Sequence, residues 1–175
     1  MVLYRRARVA GASYFFTLTL ADRRQDLLTR HIDLLRECFR QMRRNRPCVI
    51  DAAVILPEHL HLIMSLPEGD EDYAARIASL KVLFVRGLRE RGLSIRPNGR
   101  REAGIWQLRY WEHVLRDERD FAAHVDYIHL NPLKHGLVQR VVDWPWSSFH
   151  RYVRAGWLAA DWAGGSEVEV GGFPD

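Results

Sequence analysis

The run from Val54 to Ser65 constrains the fold of this chain more strongly than any other segment. Apolar residues flank the triplet His59-Leu60-His61, and residues that favour β-structure dominate the run, so it is predicted to form a strand. Because successive side chains of a strand point to opposite faces, both imidazoles leave from one face while Leu60 leaves from the other. Two ring nitrogens held on one rigid face can share a divalent cation. The alternative interpretation of this triplet, taken alone, is a pair of ordinary partly buried histidines.

Hydrophobic periodicity along the rest of the chain predicts strands and helices in a definite order. The predicted strands cover 12–20, 48–56, 59–66 and 105–115, and the predicted helices cover 29–44, 73–91 and a third segment that begins after Asp117 and closes at Pro132 and Gly136. The link Pro57-Glu58 between the second and third strands is so short that it predicts an antiparallel hairpin. This order predicts an α+β fold, a ferredoxin-like βαββαβ sandwich with an added C-terminal helix and a tail. In that arrangement the first and third strands are central, so the histidine pair lies on a central strand.

Length and composition predict one domain. Of the 175 residues, 47% are hydrophobic and 27% are charged, as in a soluble globular protein that buries a core. The domain is predicted to cover 1–157, and the segment 158–175, rich in Ala, Gly and acids, is predicted to be a mobile tail. The sequence has no apolar run long enough for a membrane span, no secretory signal, and two cysteines without paired spacing, so a cytoplasmic location is expected.

The basic residues of this chain are almost all arginine. Lys81 and Lys134 are the only lysines among 26 basic residues, and the formal net charge is +4. Arginine presents a planar fork suited to phosphate contacts and to stacking on bases. Arginines cluster within 5–8, 40–46 and 86–101, which indicates a polyanionic partner. The alternative, a GC-rich genome that encodes arginine in place of lysine, explains the ratio fully and the clustering only partly.

A second cluster, Asp126-Tyr-Ile-His-Leu-Asn-Pro132, lies on the third predicted helix. Tyr127 and Asn131 are four residues apart, so they project from one face of that helix. A tyrosine phenol is a nucleophile when a neighbouring cation lowers its pKa, and an asparagine carbonyl is a suitable ligand for a divalent cation. Alternatively, Tyr127 lies at the edge of the core and Asn131 is a helix C-cap before Pro132. Spacing alone leaves both interpretations open.

Five segments, taken in order, resemble the REP-associated tyrosine transposases, a branch of the HUH-type single-strand DNA transposases that use one tyrosine. The matching segments are Tyr14-Phe-Phe-Thr-Leu-Thr-Leu20, Ala53-Val-Ile-Leu-Pro-Glu-His-Leu-His-Leu-Ile63, Trp106-Gln-Leu-Arg-Tyr-Trp-Glu-His-Val-Leu-Arg116, Tyr127-Ile-His-Leu-Asn-Pro-Leu-Lys-His-Gly-Leu-Val138 and Trp144-Pro-Trp-Ser-Ser-Phe149. The resemblance covers 1–154, and the combination in order is far more specific than His-x-His alone.

The resemblance implies a ferredoxin-like core in which two histidines hold Mg²⁺ or Mn²⁺ and a helix supplies a third ligand. Carried over position by position, His59 and His61 match the paired ligands, Tyr127 matches the nucleophile, and Asn131 takes the place of the third ligand. That ligand is often glutamine in related insertion-sequence transposases, so Asn131 departs from the pattern. The implied activity is metal-dependent cleavage and strand transfer of single-stranded DNA near a REP or other palindromic hairpin, through a 5′-phosphotyrosine. The implied protein is a nucleoid-associated monomer, with a dimer as the alternative.

Further residues are predicted to surround this site. Those expected to orient the metal ligands, with an ordinary surface or packing role as the alternative, are Glu112, His113 and His124. Those expected to contact DNA are Arg43, Arg44, Arg100, Arg101, Arg109, Trp111 and Arg116. The neighbouring Trp106 and Tyr110 either stack on unpaired bases or pack in the core.

Other functions are compatible with parts of the same sequence. A ferredoxin-like sheet can bind nucleic acid without chemistry, although here the central strand carries histidines where aromatic residues are usual. An inactive relative of a transposase would keep the motifs. A hydrolytic phosphodiesterase with two His-x-Thr/Ser motifs is disfavoured because the sequence contains neither triplet.

Overall fold

The computed structural model describes residues 8–95 and 104–164 of the chain. The strands of its sheet are β1 (Ser13–Thr19), β2 (Val49–Ile55), β3 (His59–Ser65) and β4 (Trp111–Val114), in the order β2-β3-β1-β4. Every neighbouring pair is antiparallel. The predicted α+β class, the hairpin of β2 with β3 and the central positions of β1 and β3 are confirmed.

Helices follow the strands along the chain. In the described residues they are α1 (Leu27–Arg30), α2 (Ile32–Asn45), α3 (Tyr73–Glu90), α4 (Glu118–Lys134) and α5 (Phe149–Arg154), with a 3₁₀ turn at Val141–Asp143. The single helix predicted over 29–44 is two helices, because His31 leaves the helical region at φ −114° and ψ 40°. Asp117 caps α4 as predicted, since its carboxylate accepts a hydrogen bond from the backbone N–H of Asp120 at 2.8 Å. A search of the described helices finds none that is long and apolar enough to cross a membrane.

Strand alternation sorts the side chains of the sheet into two apolar layers. Leu60 and Leu62 of β3 belong to a core shared with α2 and α3. Ile63 belongs to a separate core on the opposite face, which is shared with α4. Because His59 and His61 alternate with the two leucines, they lie on the face that α4 covers.

The fourth strand is shorter than the sequence predicts. A strand was expected over 105–115, but the regular ladder covers only Trp111–Val114. Trp106 makes an isolated bridge with Leu20, and the chain between this bridge and β4 leaves the ladder. Trp106 is buried with its ring 5.7 Å from that of Phe84, so it packs in the core and is not placed to stack on bases.

Helix α4 continues through the proline that was predicted to close it. Pro132 lies inside the helix, which runs to Lys134, and the N–H of His135 donates to the carbonyl of Asn131 at 3.0 Å. Proline lacks an N–H, but so near the end of a helix few backbone hydrogen bonds remain to be lost. Asn131 is therefore an ordinary helical residue, and it shares a face of α4 with Tyr127.

A third apolar cluster lies on the C-terminal side of the fold. Its buried members are Leu130, Val141 and Phe149, and both Leu158 and Trp162 pack against it. The first residues of the predicted tail, 158–164, thus lie against the domain, while 165–175 are outside the described residues. The domain boundary at 157 stays a prediction.

We expect His129 to make the stability of the domain depend on pH. Its ring is fully buried beside Phe149, and Nε2 lies 2.9 Å from the Ser148 hydroxyl. Burial lowers the pKa of His129 to about 3. An unfolded chain protonates this group below about pH 6.5, so stability is complete above that pH and falls toward pH 3, by roughly 1.4 kcal/mol per pH unit.

The comparison that isolates this group is His129→Gln, which keeps a polar side chain and removes the titration. Urea unfolding at pH 7, 5.5 and 4.5 should show a flatter pH dependence for His129→Gln than for the wild type. The matched control is His150→Gln, which should keep the wild-type slope. The same slope in all three proteins would show that His129 is not the titrating group.

Candidate active site

Strand β3 and helix α4 bring the predicted histidines and tyrosine together. The ring centroids of His59 and His61 are 4.9 Å apart, and the ring of Tyr127 is 5.2 Å from that of His61. All three side chains are buried. The two imidazoles and the phenol therefore form one cluster beneath α4.

Asn131 occupies the middle of the helix face that covers this cluster. One turn before it is Tyr127, which contacts His61, and one turn after it is His135, whose ring is 5.1 Å from that of His59. Within the described residues, neither the carbonyl nor the amino group of the buried Asn131 side chain has a hydrogen-bond partner. A buried amide without hydrogen-bond partners destabilises a fold, so the position of Asn131 suits a role as a further metal ligand.

The Nδ1 atoms of His59 and His61 both lie within hydrogen-bond distance of neighbouring polar groups. Nδ1 of His59 lies 3.0 Å from the Glu58 carboxylate, and Nδ1 of His61 lies 2.9 Å from the Thr17 hydroxyl. Although burial opposes it, the hydrogen bond from His59 lowers the pKa of Glu58. Nε2 of His59 is buried and has no hydrogen-bond partner in the described part of the chain. Hydrogen bonds of this kind fix the ring orientation of metal-binding histidines, so the donor set fits a divalent cation.

Sequence reasoning missed these two partners and two further residues. Thr17 could have been found from the strand register, because it pairs with His61 across β1 and β3. His135 lies eight residues after Tyr127 and directly before Gly136, one of the two residues predicted to close the helix, but it was not identified as part of the site. Lys134 places its ammonium 5.1 Å from the centroid of the Tyr127 ring, in a cation–π contact.

The residues predicted to orient the metal ligands lie elsewhere. Glu112 pairs with Phe16, so its side chain faces the α2 and α3 layer, on the opposite side of the sheet from the histidine pair. His113 and His124 lie on the α4 face, but both contact Asp120. These three side chains form a group of possible metal ligands whose donor atoms are all within 4.8 Å of one another.

The residues predicted to contact DNA are spread over the surface. Arg43 and Arg44 are exposed at the end of α2, where Arg43 lines a groove of about 400 Å³. Arg109 is exposed, Arg116 is exposed and paired with Asp120, and Trp111 is 45% exposed. Arg100 and Arg101 lie outside the described residues.

If His59 and His61 hold a metal ion, removing the Thr17 hydroxyl should weaken its binding without removing a ligand. We expect Thr17→Val to weaken Mn²⁺ binding by about 10- to 100-fold, because His61 loses the group that fixes its orientation. Titration calorimetry on the full chain measures the change. Thr19→Val is the matched control, since Thr19 lies on the same face of β1 opposite His59 and has no hydrogen bond to it. Equal weakening in both variants would contradict the role given to Thr17.

Together the fold and the cluster define a class of protein. A His-x-His pair on a central strand, faced by a tyrosine and an amide on one helix, is the arrangement expected of an HUH-type protein.

No family model matches the chain. It is 46% identical over 171 residues to a Haemophilus influenzae protein assigned to the REP-associated tyrosine transposases, covering 97% of each chain. It is 45% identical over 161 residues to the REP-associated tyrosine transposase of Escherichia coli, covering 92% of this chain and 90% of the relative.

A solved structure agrees with these relatives. The structure of a REP-associated tyrosine transposase bound to a REP hairpin superimposes with a TM-score of 0.86 at 43% identity, covering 99% of this chain and 95% of that chain. The chain belongs to the REP-associated tyrosine transposases.

Proposed function

We propose that this protein is a metal-dependent endonuclease and strand transferase that acts on single-stranded DNA beside a hairpin, through a 5′-phosphotyrosine intermediate. The observation that carries the proposal is the convergence of Tyr127 with His61, at a centroid distance of 5.2 Å, beside His59 Nε2 and the Asn131 amide, which have no hydrogen-bond partner among the described residues. A REP hairpin is the DNA bound by the similar transposase of known structure, and palindromic DNA of this kind is the substrate proposed here.

In this scheme the chain holds Mg²⁺ or Mn²⁺ through His59, His61 and Asn131 on a ferredoxin-like scaffold. The bound ion supplies polarisation of the scissile phosphate. Glu58 and Thr17 keep the two imidazoles oriented. Two imidazoles and one amide oxygen would hold the ion and leave it accessible to the DNA, as in other catalytic metal sites.

Tyr127 is the proposed nucleophile. Its phenol oxygen forms a bond to phosphorus, the bond from phosphorus to the 3′ oxygen breaks, and that oxygen takes up a proton to leave as a 3′-hydroxyl. The phosphotyrosine ester conserves the energy of the phosphodiester bond, so a second 3′-hydroxyl can reverse the step and join a new strand. The phenol proton passes to solvent as the oxygen attacks, and Lys134 keeps a positive charge over the Tyr127 ring during the step.

Arginines of helices α2 and α5 provide a surface for the DNA backbone. The groove between α2 and β2 contains no acidic side chain in its lining and is lined by Arg36, Arg40, Arg43 and Arg151. Beside them, Trp146 stacks under the Arg36 guanidinium at 5.2 Å from the ring centroid. We assign this groove to phosphates of the hairpin stem, with Arg44, Arg109, Arg116 and Trp111 as further contacts. Arg100 and Arg101, outside the described residues, are proposed DNA contacts from the sequence alone. The proposed unit is a monomer.

A direct test uses a labelled palindromic hairpin with a single-stranded flank. Incubation with the protein and Mn²⁺ should give a covalent protein–DNA band on a denaturing gel, and a chelator should abolish it. Protease treatment should collapse the band to a small peptide adduct. Binding of the hairpin without a covalent band would favour a non-catalytic nucleic-acid-binding protein or an inactive relative.

A further inference from the structure

A second group of metal-ligand side chains lies one strand away from the proposed active site. His113 of β4 places Nε2 at 2.9 Å from one carboxylate oxygen of Asp120, in the first turn of α4. His124, one turn further along α4, places Nδ1 at 3.1 Å from the other oxygen. A single carboxylate thus lies between two imidazoles that come from two different elements.

The donor atoms of the three side chains all lie within 4.8 Å of one another, close enough for one ion to reach all three. The imidazoles of His113 and His124 stack with centroids 5.0 Å apart and planes 17° from parallel. The side chain of His124 is 6% exposed, that of Asp120 is 11% exposed, and that of His113 is 29% exposed. The group is therefore largely shielded from water but open on the His113 side, where an ion can enter.

We propose that His113, Asp120 and His124 form a second metal site, which binds Zn²⁺ or a similar first-row divalent ion and fastens β4 to the start of α4. Two imidazole nitrogens and one carboxylate oxygen are a donor set typical of zinc, with a fourth position left for water. This site is distinct from the one formed by His59, His61 and Asn131, and the proposal does not depend on the DNA chemistry.

The distances leave room for the ion after a small adjustment. A tetrahedral ion with bonds of about 2.0–2.1 Å separates its ligands by roughly 3.3 Å. The contacts of 2.9 and 3.1 Å reach the two different oxygens of Asp120, and the donor atoms lie up to 4.8 Å apart, so the side chains must reorient to bring three donors to this spacing. Binding also replaces the protons that these hydrogen bonds share.

Other polar contacts of the group compete with the ion. The Arg116 backbone N–H and guanidinium donate to the same Asp120 oxygen as His113, at 3.1 and 3.2 Å. His124 Nδ1 also lies 2.8 Å from the backbone carbonyl of Asp120. Because the Arg116 side chain is 74% exposed, its guanidinium can move into solvent when an ion binds. The other Asp120 oxygen faces His124.

An ion at this site would connect strand β4 to helix α4. Asp120 and His124 lie in the two turns of α4 that precede Tyr127, and His113 lies on the edge strand β4. The edge strand has only four residues, so few ladder hydrogen bonds hold it to β1. An ion at this position cross-links the shortest strand to the helix that carries the proposed nucleophile.

Metal titration of the full chain tests the proposal independently of DNA cleavage. The background is the double variant His59→Ala/His61→Ala, which lacks the first proposed site. After chelator treatment, this protein should still bind one equivalent of Zn²⁺, and Co²⁺ in its place should give the visible absorption of a four-coordinate nitrogen and oxygen site. Saturating Zn²⁺ should raise its Tm by about 5–10 °C.

Changes within the group should remove that equivalent. In the same background we expect either His113→Ala or Asp120→Asn to abolish the Co²⁺ spectrum and the shift in Tm, whereas His31→Ala should leave both unchanged. Asp120→Asn keeps the size of the side chain, so it guards against a variant that fails to fold. A background protein that binds no ion, or an unchanged stoichiometry in both site variants, would overturn the proposal and leave a network of ion pairs.

Discussion

Tyr127→Phe is expected to abolish the covalent protein–DNA band while leaving the fold and hairpin binding intact. The substitution removes only the phenol oxygen, and the aromatic ring keeps its edge contacts with Phe15 and His61. Loss of a nucleophile typically costs three orders of magnitude or more in rate, so cleavage should fall by at least about 1,000-fold. Denaturing gels measure the adduct, and gel shifts on the same hairpin measure binding.

Another buried tyrosine provides the control for this experiment. Tyr73 lies in the opposite apolar layer, where its ring is 4.6 Å from that of Tyr14. Tyr73→Phe makes the same chemical change at a distance from the site, so the covalent band should persist. A Tyr127→Phe protein that still forms adducts would refute the assignment of the nucleophile, and loss of the band in both variants would point to a general effect on the fold.

His61→Ala should have the second largest effect, through loss of the metal. Polarisation of a phosphate by a bound cation contributes several kcal/mol to catalysis, which corresponds to about 1,000-fold in rate. Calorimetry with Mn²⁺ should lose the binding event assigned to this site, and His59→Ala should behave alike because its ring is the immediate neighbour. Higher Mn²⁺ concentrations should restore part of the activity if Asn131 and the remaining histidine still bind.

The control for the metal prediction is His31→Ala, which removes an imidazole at the junction of α1 and α2, far from the α4 face. Cleavage and Mn²⁺ binding should match the wild type. Circular dichroism of each variant separates loss of the site from loss of the fold. Full cleavage by His61→Ala without added Mn²⁺ would show that the histidine pair does not hold the catalytic ion.

The sequence predicted those parts of the site that depend on spacing within one element. Alternation along β3 places both histidines on one face, and the four-residue spacing on α4 places Asn131 beneath Tyr127. Neither rule says that the two faces meet. Their meeting depends on α4 packing on the face of the sheet opposite α2 and α3, which follows from tertiary contacts of Ile63 and Ile128.

The parts that the sequence did not predict depend on register and on the exact end of a helix. The register of β4 against β1 decides which face its side chains take, and a shift of one residue would have exchanged Glu112 with His113. Of the two residues predicted to close α4, Pro132 lies inside the helix and Gly136 follows its end, and the turn between them brings His135 to His59. Such features arise from pairing across the fold and have no local pattern.

Phe15 links the two clusters of the α4 face. Its ring lies 5.5 Å from His61, 5.9 Å from Tyr127 and 4.8 Å from His124, measured between centroids. The side chain of Phe15 thus contacts residues of both proposed metal sites. If an ion at one position moves this ring, the affinities for the two proposed cations become thermodynamically linked through a residue that binds neither of them.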